Sequence, residues 1–143
     1  MNRYFDIALN LSSERFSGER DKVIADALTR NVNYFNIVCS SLNELDFVKD
    51  LNDRYRKNSC FTLGVHPHNA NELNRNTLKS LKGYIKIHQP SAVGETGLDF
   101  FRNLSSYENQ INAFEQQIII SIENNLPLFL HQREAHDDFI KVI

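Results

Sequence analysis

Cysteine is nearly absent from this 143-residue chain: only Cys39 and Cys60 occur, and neither belongs to a C-x-x-C pair. A disulfide framework is thereby excluded, and both thiols, each set in an apolar strand-like run, read as reduced core residues of a cytoplasmic protein. Long apolar runs are missing as well. No segment approaches about 18 consecutive apolar residues, and the opening Met-Asn-Arg-Tyr-Phe-Asp puts an acid and an amide where a signal peptide needs its apolar stretch, so the reading includes no export or membrane signal. There is no excess charge of one sign: 16 basic against 18 acidic residues give a net charge of −2. Such a balance provides no general pull toward nucleic acid or an anionic membrane, and a phosphate-bearing substrate would have to be held locally.

What is present is a 41% hydrophobic content, ordinary for a globular protein, over a length suited to a single domain spanning residues 1–143. Phe5, Ile7 and Leu9 alternate with Asp6, Ala8 and Asn10, the period of two expected of a strand. Residues 19–30 follow with Val23, Ile24, Ala27 and Leu28 at helical spacing and a charged opposite face. A second strand is expected over 34–39. Ser41 and Glu44 then have the form of a capping box, opening a helix striped by Leu45, Val48, Leu51 and Tyr55. Residues 60–65 are a third apolar strand, and Leu78, Leu81 and Ile85 mark a third helix, near whose end His88 reads as a partner of the helix terminus or of solvent.

Residues 92–100, Ala-Val-Gly-Glu-Thr-Gly-Leu-Asp-Phe, form the stretch to which the remainder relates. A short apolar run stops at Gly94, presents the Glu95 carboxylate and is expected to turn at Gly97 into a loop from Asp99 to Ser106. Ser105 and Glu108 offer a second capping box, for a helix striped by Ile111, Phe114, Ile118 and Ile122 and closed by Asn124-Asn125. Residues 126–130 are a fifth strand, ending at His131. The final segment, from Glu134, reads as a helix whose Phe139, Ile140 and Ile143 form an uncovered apolar stripe.

Strand and helix thus alternate five times with short links, which argues for a parallel α/β sheet with right-handed crossovers. An open doubly wound sheet satisfies the pattern, and so does a TIM-barrel type fold of which the sequence covers about five β/α units of eight. Four strands end in polar groups, Asn10, His66, Glu95 and His131, and barrels build their sites at that end, which favours the barrel.

A lone histidine often does no more than hydrogen-bond at a surface. His66, His68 and His131 differ because each follows an apolar run directed at the same rim as Glu95. Imidazole suits zinc, manganese and related ions, and a carboxylate bridges hard cations. Two divalent ions held about 3.5 to 4 Å apart are the usual apparatus for phosphodiester hydrolysis, and Glu95 is the natural bridge between them. Arg133 has the guanidinium fork that binds phosphate in bidentate fashion, or is a surface charge, and His136 carries the same ambiguity.

Three ordered motifs, Gly64-Val65-His66-Pro67-His68, Gly94-Glu95-Thr96-Gly97-Leu98-Asp99-Phe100 and His131-Gln132-Arg133-Glu134-Ala135-His136, resemble the signatures of the TatD family of metal-dependent deoxyribonucleases, and Phe5-Asp6-Ile7-Ala8-Leu9-Asn10-Leu11 fits its opening. The resemblance implies a TIM barrel that hydrolyses DNA, with RNA as the alternative, often from the 3′ end of single strands. It implies magnesium as the cofactor, with manganese or zinc as alternatives. By the same resemblance Glu95 matches the bridging, catalytic metal ligand and His131 a second ligand, while His66 and His68 match a pair near the substrate phosphate. Asn10 and Arg133 are taken with His68 as substrate-binding, and His66 with Glu95 as catalytic. Ala8 and Asn10 stand where most of the family has an H-x-H pair, as in the branch containing TatD itself. Family members also continue through strands six to eight, which supply another histidine and a late aspartate. The sequence is therefore expected to be part of a longer enzyme, with weak or no activity alone. A barrel hydrolase acting on another ester or amide is the other enzymatic reading.

Overall fold

The computed structural model describes residues 2–143. Strands β1 (Tyr4–Leu9), β2 (Val32–Cys39), β3 (Ser59–Leu63), β4 (Ala92–Asp99) and β5 (Leu128–Arg133) alternate with helices α1 (Arg20–Thr29), α2 (Leu45–Arg54), α3 (Arg75–His88), α4 (Tyr107–Asn124) and α5 (His136–Val142). The sheet order is β1-β2-β3-β4-β5 and every neighbouring pair is parallel. That order decides between the two architectures. A doubly wound sheet reverses direction at a switch point, whereas a (β/α) barrel adds each strand beside the last, so the five units are of TIM-barrel type. All five carboxyl ends consequently share one rim.

The helices cover one face through their apolar stripes. Phe35, Ile37 and Cys39 of β2 and Phe61 and Leu63 of β3 pack with Leu45, Val48 and Leu51 of α2 and Leu81 and Ile85 of α3, as alternation in the strands and helical spacing require. A second cluster joins Leu98 of β4, Phe114 of α4 and Ala135, and Phe139 of α5 stacks on Phe114 at 5.0 Å between ring centroids. Phe139 is thus covered, while Ile140 and Ile143 remain exposed.

Three local expectations shift. The strand expected to turn at Gly97 runs on to Asp99, because Gly97 takes φ of +141°, a conformation that side-chain-bearing residues avoid, and so stays in the sheet beside β5. The cap of α4 is Ser106, whose hydroxyl accepts from Asn109 N, while Ser105 donates to the His68 carbonyl instead. At the first box Ser41 accepts from Asn43 N, but Glu44 accepts from the amide of Ser40, one residue early. The period-two reading of β1 finds a strand at the sheet edge with Tyr4, Phe5 and Ile7 all exposed.

Candidate functional site

The H-P-H sequence after β3 forms its own turn. Proline is tolerated at a helix start because its missing N–H would have no partner there, so Pro67 opens a 3-10 turn over Pro67–Glu72 for which His66 is the cap. The His66 Nδ1 accepts from the His68 amide at 3.1 Å. That bond puts the proton of a neutral His66 ring on Nε2, the nitrogen facing the cavity cluster. His131 reaches the same place from β5, and Glu95 and Asp99 from β4.

The distances join these five side chains into one cluster. His131 Nδ1 lies 2.9 Å from Glu95 Oε1, and its Nε2 lies 3.1 Å from Asp99 Oδ2. His68 Nε2 is 2.6 Å from that same Asp99 oxygen. His66 Nε2 stands 3.3 Å from His131 Nδ1 and 3.7 Å from Glu95 Oε1. Asn10, Asn69, Arg102 and Arg133 border the surrounding cavity, whose volume is about 380 Å³. A larger hollow of about 590 Å³ runs along α3 beside Arg75 and Lys82, but it brings together no acid, imidazole or nucleophile.

Burial and hydrogen bonding set the charges. Burial pushes His66 down to about 4, against the pull of Glu95 and with the repulsion of the other two imidazoles, so its ring is neutral at neutral pH. His131 is raised, first by its hydrogen bond to Glu95, which outweighs burial, and then by Asp99. Burial opposes the charge on Asp99 more than any other single influence. The Arg102 amide and the imidazoles of His68 and His131 together overcome it and hold the carboxyl at about 2.

This donor set fits a divalent cation. Nitrogens of His66, His68 and His131 lie within 4.8 Å of one another, with two carboxylates at hydrogen-bond distance from them. A proton on His131 Nδ1 satisfies Glu95 but turns an N–H toward the protonated Nε2 of His66; a cation accepted by Glu95 and His131 meets both lone pairs at once. The residues that would hold it are Glu95 and His131, with Asp99 orienting the rings of His68 and His131.

Asp99 was outside the expected site because the strand was expected to turn at Gly97. A strand continued through that glycine puts Glu95, Gly97 and Asp99 on one face by simple alternation, and this is the signal that identifies it. Gln110 and Gln117 had no such signal. Gln117, fully buried, accepts from Val65 N and donates to Val65 O and Thr96 Oγ1. Gln110 accepts from Asp99 N and donates to Ser105 O. Both lie on α4 and tie it to the segments bearing His66 and Asp99. Of the expected residues, Glu95, His66, His68 and His131 come together and Asn10 and Arg133 border them, whereas His136 is exposed at the start of α5 outside the cluster. His88 sits in the last turn of α3 near Tyr84.

Fold and cluster together define a barrel-type protein with a mixed imidazole–carboxylate centre at the carboxyl ends of its strands. The family model for TatD related DNase matches residues 5–143, and the chain belongs to that family. It is 40% identical over 141 residues to the 3′-5′ ssDNA/RNA exonuclease TatD of Erwinia amylovora, covering 97% of this chain and 54% of that protein. It is 37% identical over 140 residues to the exonuclease of the same name from Escherichia coli K12, covering 97% and 53%. The chain therefore spans about half the length of these relatives. Among solved structures, a TatD family hydrolase from Entamoeba histolytica superposes with a TM-score of 0.88 at 25% identity, over 99% of this chain and 53% of its own. The Escherichia coli TatD homologue YJJV gives the same TM-score of 0.88 at 24% identity, over 97% and 54%, and shows the shared fold.

Proposed function

We propose that the chain, folding as one domain over residues 1–143, carries a metal-centred site that hydrolyses phosphodiester bonds of single-stranded DNA or RNA from the 3′ end. The observation that supports this most strongly is the meeting of Glu95 and Asp99 with three imidazoles beside Arg102 and Arg133. Among the described residues neither guanidinium has a carboxylate partner. Unpaired guanidinium groups at a cavity rim suit phosphate, and they supply locally the positive charge that a net charge of −2 withholds globally.

Glu95 and His131 would hold the cation, as one or two ions, and Asp99 fixes the rings of His68 and His131. His66 would donate from Nε2 to a phosphoryl oxygen, and its neutral ring would not repel a cation held at Glu95 and His131. His68, Arg133 and Asn10 orient the strand. When bound, a divalent ion supplies charge against the transition-state phosphoryl group and makes water a stronger acid. Magnesium is the ion of the family resemblance, and the His131 imidazole beside Glu95 also suits manganese or zinc. The two free thiols accord with the reducing cytoplasm.

The test is release of nucleotides from 3′-labelled single-stranded DNA and RNA with each of the three metals. Hydrolysis that a chelator stops and Glu95→Ala abolishes is expected. The chain alone is expected to be weak, so it is turnover unaffected by that substitution, or preference for a simple ester or amide, that would contradict the proposal.

A further inference from the structure

We infer that the exposed ring of Phe101, backed by the Arg133 guanidinium, is a stacking platform for the nucleobase adjoining the phosphate held in the cavity. The inference rests on the nuclease reading of this site and adds a contact to its substrate.

Phe101 lies in the loop between β4 and α4, two residues after Asp99 and one before Arg102, which borders the cavity. A loop of that origin projects from the rim on which the site sits. The residue is 53% exposed even though the Arg133 guanidinium covers one face of its ring at 3.8 Å from the centroid. The opposite face therefore meets solvent. Its neighbours differ: Phe100 and Tyr107 lie against each other at 5.2 Å, whereas Phe101 pairs with no other aromatic ring among the described residues. A single exposed apolar residue is ordinary and by itself means nothing. Here the cation stacked on it, Arg133, and its chain neighbour Arg102 both border the cavity that holds the imidazole–carboxylate cluster. That is the combination by which sites for single-stranded nucleic acid work, cations taking the backbone and aromatic rings taking the bases.

The chemistry dictates the specificity. Every base offers a π-face, so the platform discriminates little among the four bases, but it requires a base that is not stacked in a duplex. Arg133 then has two duties, charge toward phosphate and support of the ring through a cation–π contact.

The chain contains no tryptophan, so Phe101→Trp creates a single indole reporter at the site. It would be titrated, with manganese present, with oligothymidylate and with an abasic deoxyribose-phosphate oligomer of equal length, both phosphorothioate-linked to prevent cutting. Quenching by the base-bearing oligomer alone is expected. In anisotropy measurements the unsubstituted chain should prefer that oligomer by about tenfold or more, Phe101→Ala should erase the preference and Phe101→Tyr should restore it. Equal binding of both oligomers by the unsubstituted chain and by Phe101→Ala, with the indole unquenched, would overturn the platform and leave the nuclease reading standing. Failure of the unsubstituted chain to bind either oligomer would overturn both.

Discussion

Asp99 keeps its charge at 1% exposure because three donors, the Arg102 amide and two imidazoles, point at its two oxygens. An amide in its place offers one oxygen and would turn its NH₂ toward a ring nitrogen. Asp99→Asn is therefore expected to loosen His68 and His131 and to weaken divalent metal binding about 10- to 100-fold, as read by calorimetric titration; unchanged affinity would show that Asp99 orients neither ring. Cys39 illustrates a different balance. Burial first, then the nearby Glu44 carboxylate, push its thiol up to about 12. Only the thiolate is nucleophilic, so iodoacetamide at about pH 8 should modify the half-buried Cys60 and spare Cys39 in the folded chain. The sign for stability follows from linkage. A folded-state value above the unfolded one favours the native state while the unfolded thiol is still protonated, below about pH 8.5, and this contribution is lost as the pH rises toward the folded value. Equal labelling of both cysteines would mean that Cys39 is not buried.

At the scale of elements, α4 sets the site as much as the strands do. Its two buried glutamines bond to backbone on either side of the cluster, and Gln117→Leu would leave the Val65 amide and carbonyl without that partner. The expected cost is about 2 kcal/mol or more in chemical denaturation, with weakened metal binding because Gln117 also donates to Thr96, which follows Glu95 directly. A loss below about 0.5 kcal/mol would show that water replaces the side chain. Gly97 is a second constraint: a Cβ there would meet the His131 carbonyl oxygen at 1.9 Å. Gly97→Ala is expected to cost at least about 2 kcal/mol and to displace His131, with hydrogen exchange rising along β5. Exchange unchanged in β5 would contradict the close approach.

These elements also show what was legible in the sequence. The order of strands and helices followed from periodicity, and the gathering of Glu95, His66, His68 and His131 followed from each sitting just beyond an apolar run. Asp99 was hidden because a glycine usually reads as a turn, whereas this one continues the strand at positive φ. The capping serines differ by one position because adjacent serines are equivalent until the loop from His68 claims Ser105. The glutamines of α4 were unreadable in principle. Their partners are backbone groups, and Val65 lies 52 positions from Gln117, so no local pattern records the pairing. The exposure of β1 depends on what stands beside its outer edge, which alternation within the strand does not express.

For the molecule as a whole, near-neutral charge and a local cationic rim make a quantitative statement about substrate binding. Two guanidinium groups that each neutralise one phosphate give a single-strand salt dependence with a slope near about −1.4 in the logarithmic plot, and Arg102→Ala or Arg133→Ala should each reduce its magnitude by about 0.7. A steep slope left intact by both substitutions would place the binding surface elsewhere. The central claim concerns the ion, and the most direct measurement is calorimetric titration of manganese and zinc into chelator-treated protein and into its Glu95→Ala and His131→Ala variants. Saturable binding by the unsubstituted chain, weakened at least about tenfold in each variant, is the expected result. No saturable site, or a site that both variants retain at full affinity, would contradict a metal centre at Glu95 and His131.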